Sequence, residues 1–145
     1  MISSLLLVCT GNICRSPMAE GLFRQRFPEL DFASAGLDAL IGNSADSHAI
    51  SVMKTKSIDI DEHRAVQLES WMCRKYDLVL VMEAAQKREV EVRYPFTRGK
   101  VFRLLESEDA DVVDPYMRGP EAFDVALETI GRGVDAWCER LKRVT

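Results

Sequence analysis

A short apolar run, Leu5-Leu6-Leu7-Val8-Cys9, stops at Thr10-Gly11-Asn12, and a helical pattern starts at Pro17. A strand covered on both faces reads as such a run, and the Gly/Asn pair breaks it into a turn. Pro17 suits the first turn of a helix, where its missing N–H has no partner to lose. Met18 and Leu22, and Ala19, Phe23 and Phe27, recur four apart until Pro28. A strand over 3–9, a loop and a helix to about 27 form one β-loop-α unit. The rest repeats the theme: strands over 31–36, 77–82 and 100–105, a polar loop over 42–47, and helices over 48–56, 68–75 and 84–93. An acidic loop covers 106–111, and a last helix begins near 119. In that helix Phe123, Leu127, Ile130, Val134, Trp137 and Leu141 share one face. Gly131 and Gly133 each cost it about 1 kcal/mol relative to Ala, so it must rely on packing. Strands alternating with helices imply right-handed crossovers and parallel pairing. The expected fold is α/β, a three-layer α/β/α sandwich with a central four-stranded parallel sheet. Ligands bind such sheets beyond the C-terminal strand ends, which points to the loop after the first strand.

The 145 residues suit one domain, 1–145. The longest apolar stretch near the start is too short for a membrane span and lacks the basic flank of a signal peptide, so a cytoplasmic protein without stable membrane insertion is expected. A net charge of −4 argues against nucleic acid as a partner. Cys9, Cys14, Cys73 and Cys138 form no disulfide framework or zinc pattern. Cys73 and Cys138, on helices, are expected to pack, and no metal or other cofactor is expected.

The segment Val8-Cys9-Thr10-Gly11-Asn12-Ile13-Cys14-Arg15-Ser16-Pro17 carries the chemistry. A strand end, a turn and a helix N-terminus in succession direct backbone N–H groups and the positive helix end at one point. Thr10, Gly11, Asn12, Ile13, Cys14, Arg15 and Ser16 are the candidate phosphate-binding residues. Cys9 and Arg15, six positions apart, can reach one oxyanion, sulfur on phosphorus and guanidinium on its oxygens. Positive surroundings favour thiolate, so Cys9 is expected to be largely ionised. Ser16 can donate a hydrogen bond to the sulfur, and Arg15 can hold two phosphate oxygens in a planar fork.

This loop, with Ser34-Ala35-Gly36, the 76–82 stretch Tyr-Asp-Leu-Val-Leu-Val-Met and the late Asp114-Pro115-Tyr116, resembles the low-molecular-weight protein tyrosine phosphatases over nearly the whole chain. The resemblance implies catalytic Cys9, Arg15 and Asp114: nucleophile, phosphate ligand, and general acid then base. It implies loop support from Asn12, Ser34 and His63, and a substrate pocket walled by Leu40 and Tyr116. Asp109 and Asp111 are rival acids by position, and the Pro-Tyr that follows favours Asp114. Cys14 either fills space or, as the paired cysteines of the family imply, forms a reversible disulfide with Cys9.

The chain departs from the family pattern at Val66, where Arg is common, and over 37–41, where eukaryotic members carry an aromatic residue. The aliphatic stretch is similar to the bacterial subgroup linked to polysaccharide export. That likeness implies a phosphotyrosine protein as partner, an autophosphorylated bacterial tyrosine kinase controlling exopolysaccharide production, and a monomer or weak dimer. Two other activities use similar loops. Arsenate reductases need a further cysteine pair, whereas Cys73 and Cys138 lie far apart in sequence. Protein arginine phosphatases carry Thr at the position of Ile13, whose branch should crowd a phosphoguanidinium more than an aryl phosphate. The 106–111 acids are expected to be solvated surface; the alternative is that they repel acidic phosphopeptides or choose basic ones.

Overall fold

A computed structural model describes residues 1–144. Four strands, β1 (Ser4–Cys9), β2 (Asp31–Gly36), β3 (Leu78–Val81) and β4 (Val101–Arg103), form one parallel sheet in the order β2-β1-β3-β4. Five α-helices connect and cover them: α1 (Arg15–Arg26), α2 (Ser47–Lys54), α3 (Ser70–Lys75), α4 (Ala84–Arg93) and α5 (Pro120–Val144). The expected α/β class and parallel sheet are found.

The pleat of β1 divides the core. Leu5, Leu7 and Cys9 join a cluster with Met18, Phe23, Met53, Phe123 and Ile130 from α1, α2 and α5. Leu6 and Val8 join the opposite cluster with Met72, Cys73 and Val90 from α3 and α4. Side chains two apart share a face, so a strand buried on both faces must be apolar throughout, as β1 is. Phe123, Leu127, Ile130, Val134, Trp137 and Leu141 of α5 are all buried, and together contribute roughly 10 kcal/mol or more. That outweighs the two glycines, which differ from each other. A Cβ on Gly131 would meet nothing within 4 Å, whereas one on Gly133 would lie 2.7 Å from Leu104 Cγ and 3.0 Å from its carbonyl oxygen. Gly133 is thus required by close packing and Gly131 is not.

Several boundaries shift. Helix α1 starts at Arg15, not Pro17, which places Pro17 third in the helix, still among the positions without an intrahelical N–H partner. Strands β3 and β4 are shorter than the apolar runs that contain them, because Met82 and Leu104 are buried beyond the last ladder positions. Helix α3 begins at Ser70 because Gln67 bridges in parallel to Gly36 and the Leu68 N–H bonds the Gly36 carbonyl, holding the preceding chain extended. The 106–111 acids are not simply solvated. Glu106, Asp109 and Asp111 pair with Arg103, and Glu108 with Arg132, around a 3₁₀ turn at Glu106–Glu108. Among the described residues no helix is long and apolar enough to cross a membrane.

The chain runs from β1 to β2 on one side and returns past β1 to β3 on the other, so the loops after β1 and β3 diverge from adjacent strand ends. The loop after β4 joins them, its Val112 N–H bonding the Met82 carbonyl at 2.9 Å.

Candidate active site

The turn after β1 is made by Asn12, whose φ of 61° lies in the left-handed region, which asparagine tolerates better than most residues. Gly11 takes no such angle; it lies against Leu40, whose N–H bonds its carbonyl at 3.1 Å. Helix α1 has no side-chain cap at its N-terminus, which leaves the first-turn N–H groups for a ligand.

Asn12 is fully buried and its amide orientation is fixed by its partners. The Val66 N–H donates to Oδ1 at 2.9 Å, so Nδ2 faces Ser16 Oγ at 2.8 Å and Ser34 Oγ at 2.9 Å and donates to both. Since Ser16 Oγ accepts from Asn12, its own proton is free for Cys9 Sγ, 2.9 Å away. The contacts form one chain, from backbone N–H to amide, from amide to hydroxyl and, when Cys9 is a thiolate, from hydroxyl to sulfur. His63 Nε2 donates to the Asn12 carbonyl at 2.6 Å, which sets the tautomer. The absent arginine at Val66 costs this network nothing, because Val66 acts through its backbone.

Arg15 is 2% exposed. Its Nη1 donates to Glu83 Oε2 at 2.5 Å and to the Val112 carbonyl at 2.8 Å, and its Nη2 lies 3.6 Å from Asp114 Oδ2. Asp114 Oδ1 accepts the Tyr116 N–H at 3.1 Å, a local turn that fixes the carboxylate, with Pro115 buried between them. Thr10 is tied in by Gln86: Gln86 Oε1 accepts the N–H groups of Met82 and Glu83, so its Nε2 donates to Thr10 Oγ1 at 3.1 Å. Glu83, Gln86 and the Val112 carbonyl were not singled out by any motif, and each enters from the end of a neighbouring strand or its loop.

Cys9, Thr10, Gly11, Ile13, Cys14, Arg15, Asp38, Leu40, Asp114 and Tyr116 line one cavity of about 230 Å³. Asn12, Ser16, Ser34 and His63 lie behind it as the hydrogen-bonding frame. The structure thus gathers every candidate site residue, and adds Asp38. Leu40 and Tyr116 are both exposed at the cavity and offer its apolar surface. Asp109 and Asp111, the rival acids, are instead engaged by Arg103. The Cys14 thiol, in the same cavity lining as Cys9, is pushed well above its ordinary range, first by burial and then by Asp46 and Cys9, and so stays protonated. Cys73 and Cys138 are buried in helices away from this group.

Residues 4–145 match the family model described as low molecular weight phosphotyrosine protein phosphatase. The chain is 51% identical over 142 residues, 98% of both chains, to a Ralstonia nicotianae protein named probable low molecular weight protein-tyrosine-phosphatase EpsP. It superposes with a TM-score of 0.94 and 37% identity on the tyrosine phosphatase Wzb of Escherichia coli K30 in complex with sulphate, covering 97% of this chain and 99% of that one. The YwlE arginine phosphatase of Geobacillus stearothermophilus gives a TM-score of 0.91 at 33% identity, covering 97% and 93%. With a family match over almost its full length and relatives this similar, the chain belongs to the low-molecular-weight protein tyrosine phosphatases and is a protein tyrosine phosphatase of the Wzb/EpsP type.

Proposed function

We propose that the chain, as a single domain, hydrolyses phosphotyrosine through a cysteinyl phosphate. The carrying observation is the hydrogen-bonded chain that joins Val66 N–H, Asn12 and Ser16 to Cys9 Sγ, with Cys9 in the same cavity lining as Arg15 and Asp114. Phosphate oxygens bind the N–H groups of residues 10–16 and the Arg15 fork. The Cys9 thiolate attacks phosphorus, the P–O(aryl) bond breaks, and Asp114 gives its proton to the departing phenolate oxygen. Asp114, now ionised, takes a proton from water as that water attacks phosphorus. The P–S bond then breaks and the electron pair returns to sulfur, which the Ser16 O–H stabilises. Cys14, in the same cavity lining as Cys9, serves as its reversible disulfide partner under oxidation.

The phenol ring lies between Leu40 and Tyr116. Ile13 also faces the cavity, and its bulk supports phosphotyrosine over the phosphoarginine read by the arginine-phosphatase branch. The subgroup likeness supports a cytoplasmic monomer or weak dimer acting on an autophosphorylated bacterial tyrosine kinase that controls exopolysaccharide production. The test is hydrolysis of matched phosphotyrosine, phosphoserine and phosphoarginine peptides by the wild type and Cys9→Ser. Turnover of phosphotyrosine alone, abolished in the variant, is expected; equal turnover of phosphoarginine overturns the assignment.

A further inference from the structure

We propose that Asp38 makes the enzyme select phosphotyrosine segments that carry a Lys or Arg next to the phosphorylated residue. The proposal deepens the phosphotyrosine reading above and rests on it. Asp38 lies on the wall of the catalytic cavity with its side chain exposed, and among the described residues its carboxylate has no ion pair. Arg15 is the one cation in that lining, and its guanidinium pairs with Glu83 and lies 3.6 Å from Asp114, so Asp38 has no counter-ion in the cavity wall. A carboxylate with no counter-ion on the wall of a site for a phosphate dianion works against binding of the bare phosphoryl group. A cation brought by the substrate reverses that effect.

The position of Asp38 is fixed on both sides. Its N–H bonds the Thr10 carbonyl at 2.9 Å and the Leu37 N–H bonds the Cys9 carbonyl at 2.9 Å, so the segment is stitched to the catalytic loop itself. The Leu37 carbonyl accepts from Gln67 Nε2 at 2.9 Å and Arg93 Nη1 at 2.7 Å, and the Ala39 N–H donates to Gln67 Oε1 at 3.0 Å. With its backbone held this way, the Asp38 carboxylate turns only about its own side-chain bonds and stays at the cavity wall. The more obvious acidic feature, the run over 106–111, does not compete: its carboxylates are paired with Arg103 and Arg132.

An exposed pair of this kind is weak singly, yet exchanging Lys for Glu in the substrate replaces attraction by repulsion. The expected ratio of kcat/KM for Lys-flanked over Glu-flanked peptides is about threefold to tenfold at low salt, shrinking as salt screens the charges. The experiment compares phosphotyrosine peptides with Lys, Ala or Glu on both sides of the phosphotyrosine, for the wild type, Asp38→Asn and Asp38→Glu, with p-nitrophenyl phosphate alongside. The wild type should rank Lys above Ala above Glu, Asp38→Glu should keep the order, and Asp38→Asn should bring the three peptides within twofold of each other. With p-nitrophenyl phosphate, Asp38→Asn should gain up to about twofold, since a repelling charge is gone. A Lys-to-Glu ratio that persists in Asp38→Asn, or no ranking in a wild type that hydrolyses all three peptides, overturns the proposal. A wild type that hydrolyses p-nitrophenyl phosphate but none of the peptides fails at the phosphotyrosine reading instead.

Discussion

Replacing Glu83 by Gln tests whether this carboxylate is the resting counter-ion of Arg15. The guanidinium is 2% exposed and its shortest contact, 2.5 Å, is to Glu83. Breaking a buried ion pair by removing one partner costs about 3–5 kcal/mol. Here the Glu83 side chain is 32% exposed, the Val112 carbonyl still accepts from Nη1, and Gln retains one acceptor oxygen, which lowers the expectation to about 2 kcal/mol. For a chain of this length that corresponds to a loss of roughly 6–8 °C in Tm. Removing a negative charge from the N-terminus of α4 adds a further 0.3–1 kcal/mol at most, and that part is indifferent to ligand. A phosphate dianion, in contrast, supplies the counter-charge that the variant lacks. Thermal unfolding followed by circular dichroism, with and without saturating inorganic phosphate, separates the two contributions. Phosphate should raise the Tm of Glu83→Gln more than that of the wild type and close more than half of the gap. A gap of the same size with and without phosphate would refute the counter-ion role and leave Glu83 as a helix cap only.

Asp114→Asn should lower kcat/KM by 10²–10⁴ for phenyl phosphate, a poor leaving group, and far less for p-nitrophenyl phosphate, as a plot against leaving-group pKa shows; equal losses place the acid elsewhere. After brief peroxide treatment and then thiol, the wild type should recover activity while Cys14→Ser does not, with mass spectrometry finding a Cys9–Cys14 disulfide in the former and over-oxidised Cys9 in the latter. Gly131→Ala should stabilise the protein by up to about 1 kcal/mol in denaturant unfolding, since the site is open, whereas Gly133→Ala should destabilise it by about 1–3 kcal/mol through contact with Leu104.

Periodicity read the fold well where burial is complete and poorly where an element ends. The continuous apolar runs of β1 and β3 and the six-residue stripe of α5 appear in the structure as expected, because each is dictated by which side chains must leave water. The ends fall where a hydrogen-bonding partner happens to sit. Helix α1 starts two residues early because Arg15 and Ser16 belong both to the loop and to its first turn, and nothing in the apolar spacing reports that. The 106–111 acids carried no signal of Arg132, whose pair with Glu108 spans 24 positions, and the nearer Arg103 meets them through a 3₁₀ turn that no apolar spacing announces.

The same distinction governs the site. The residues that form one contiguous loop, from Cys9 to Ser16, were legible because a strand end, a turn and a helix start impose their own geometry. Ser34, His63, Asp114, Leu40 and Tyr116, and the supporting role of Asn12, were reached through family likeness, because their partners lie far along the chain, as the approach of Arg15 Nη2 to Asp114 Oδ2 at 3.6 Å illustrates. Glu83 and Gln86 were missed although a topological signal was available. In a parallel sheet with β1 beside β3, the chain leaves both strands at the same edge, so the residues just past Val81 must face those just past Cys9. Glu83 and Gln86 occupy that position, and the only buried cation of the loop lies opposite them. A buried arginine requires a nearby acid, and the strand order confines the search for it to the few residues after the neighbouring strand.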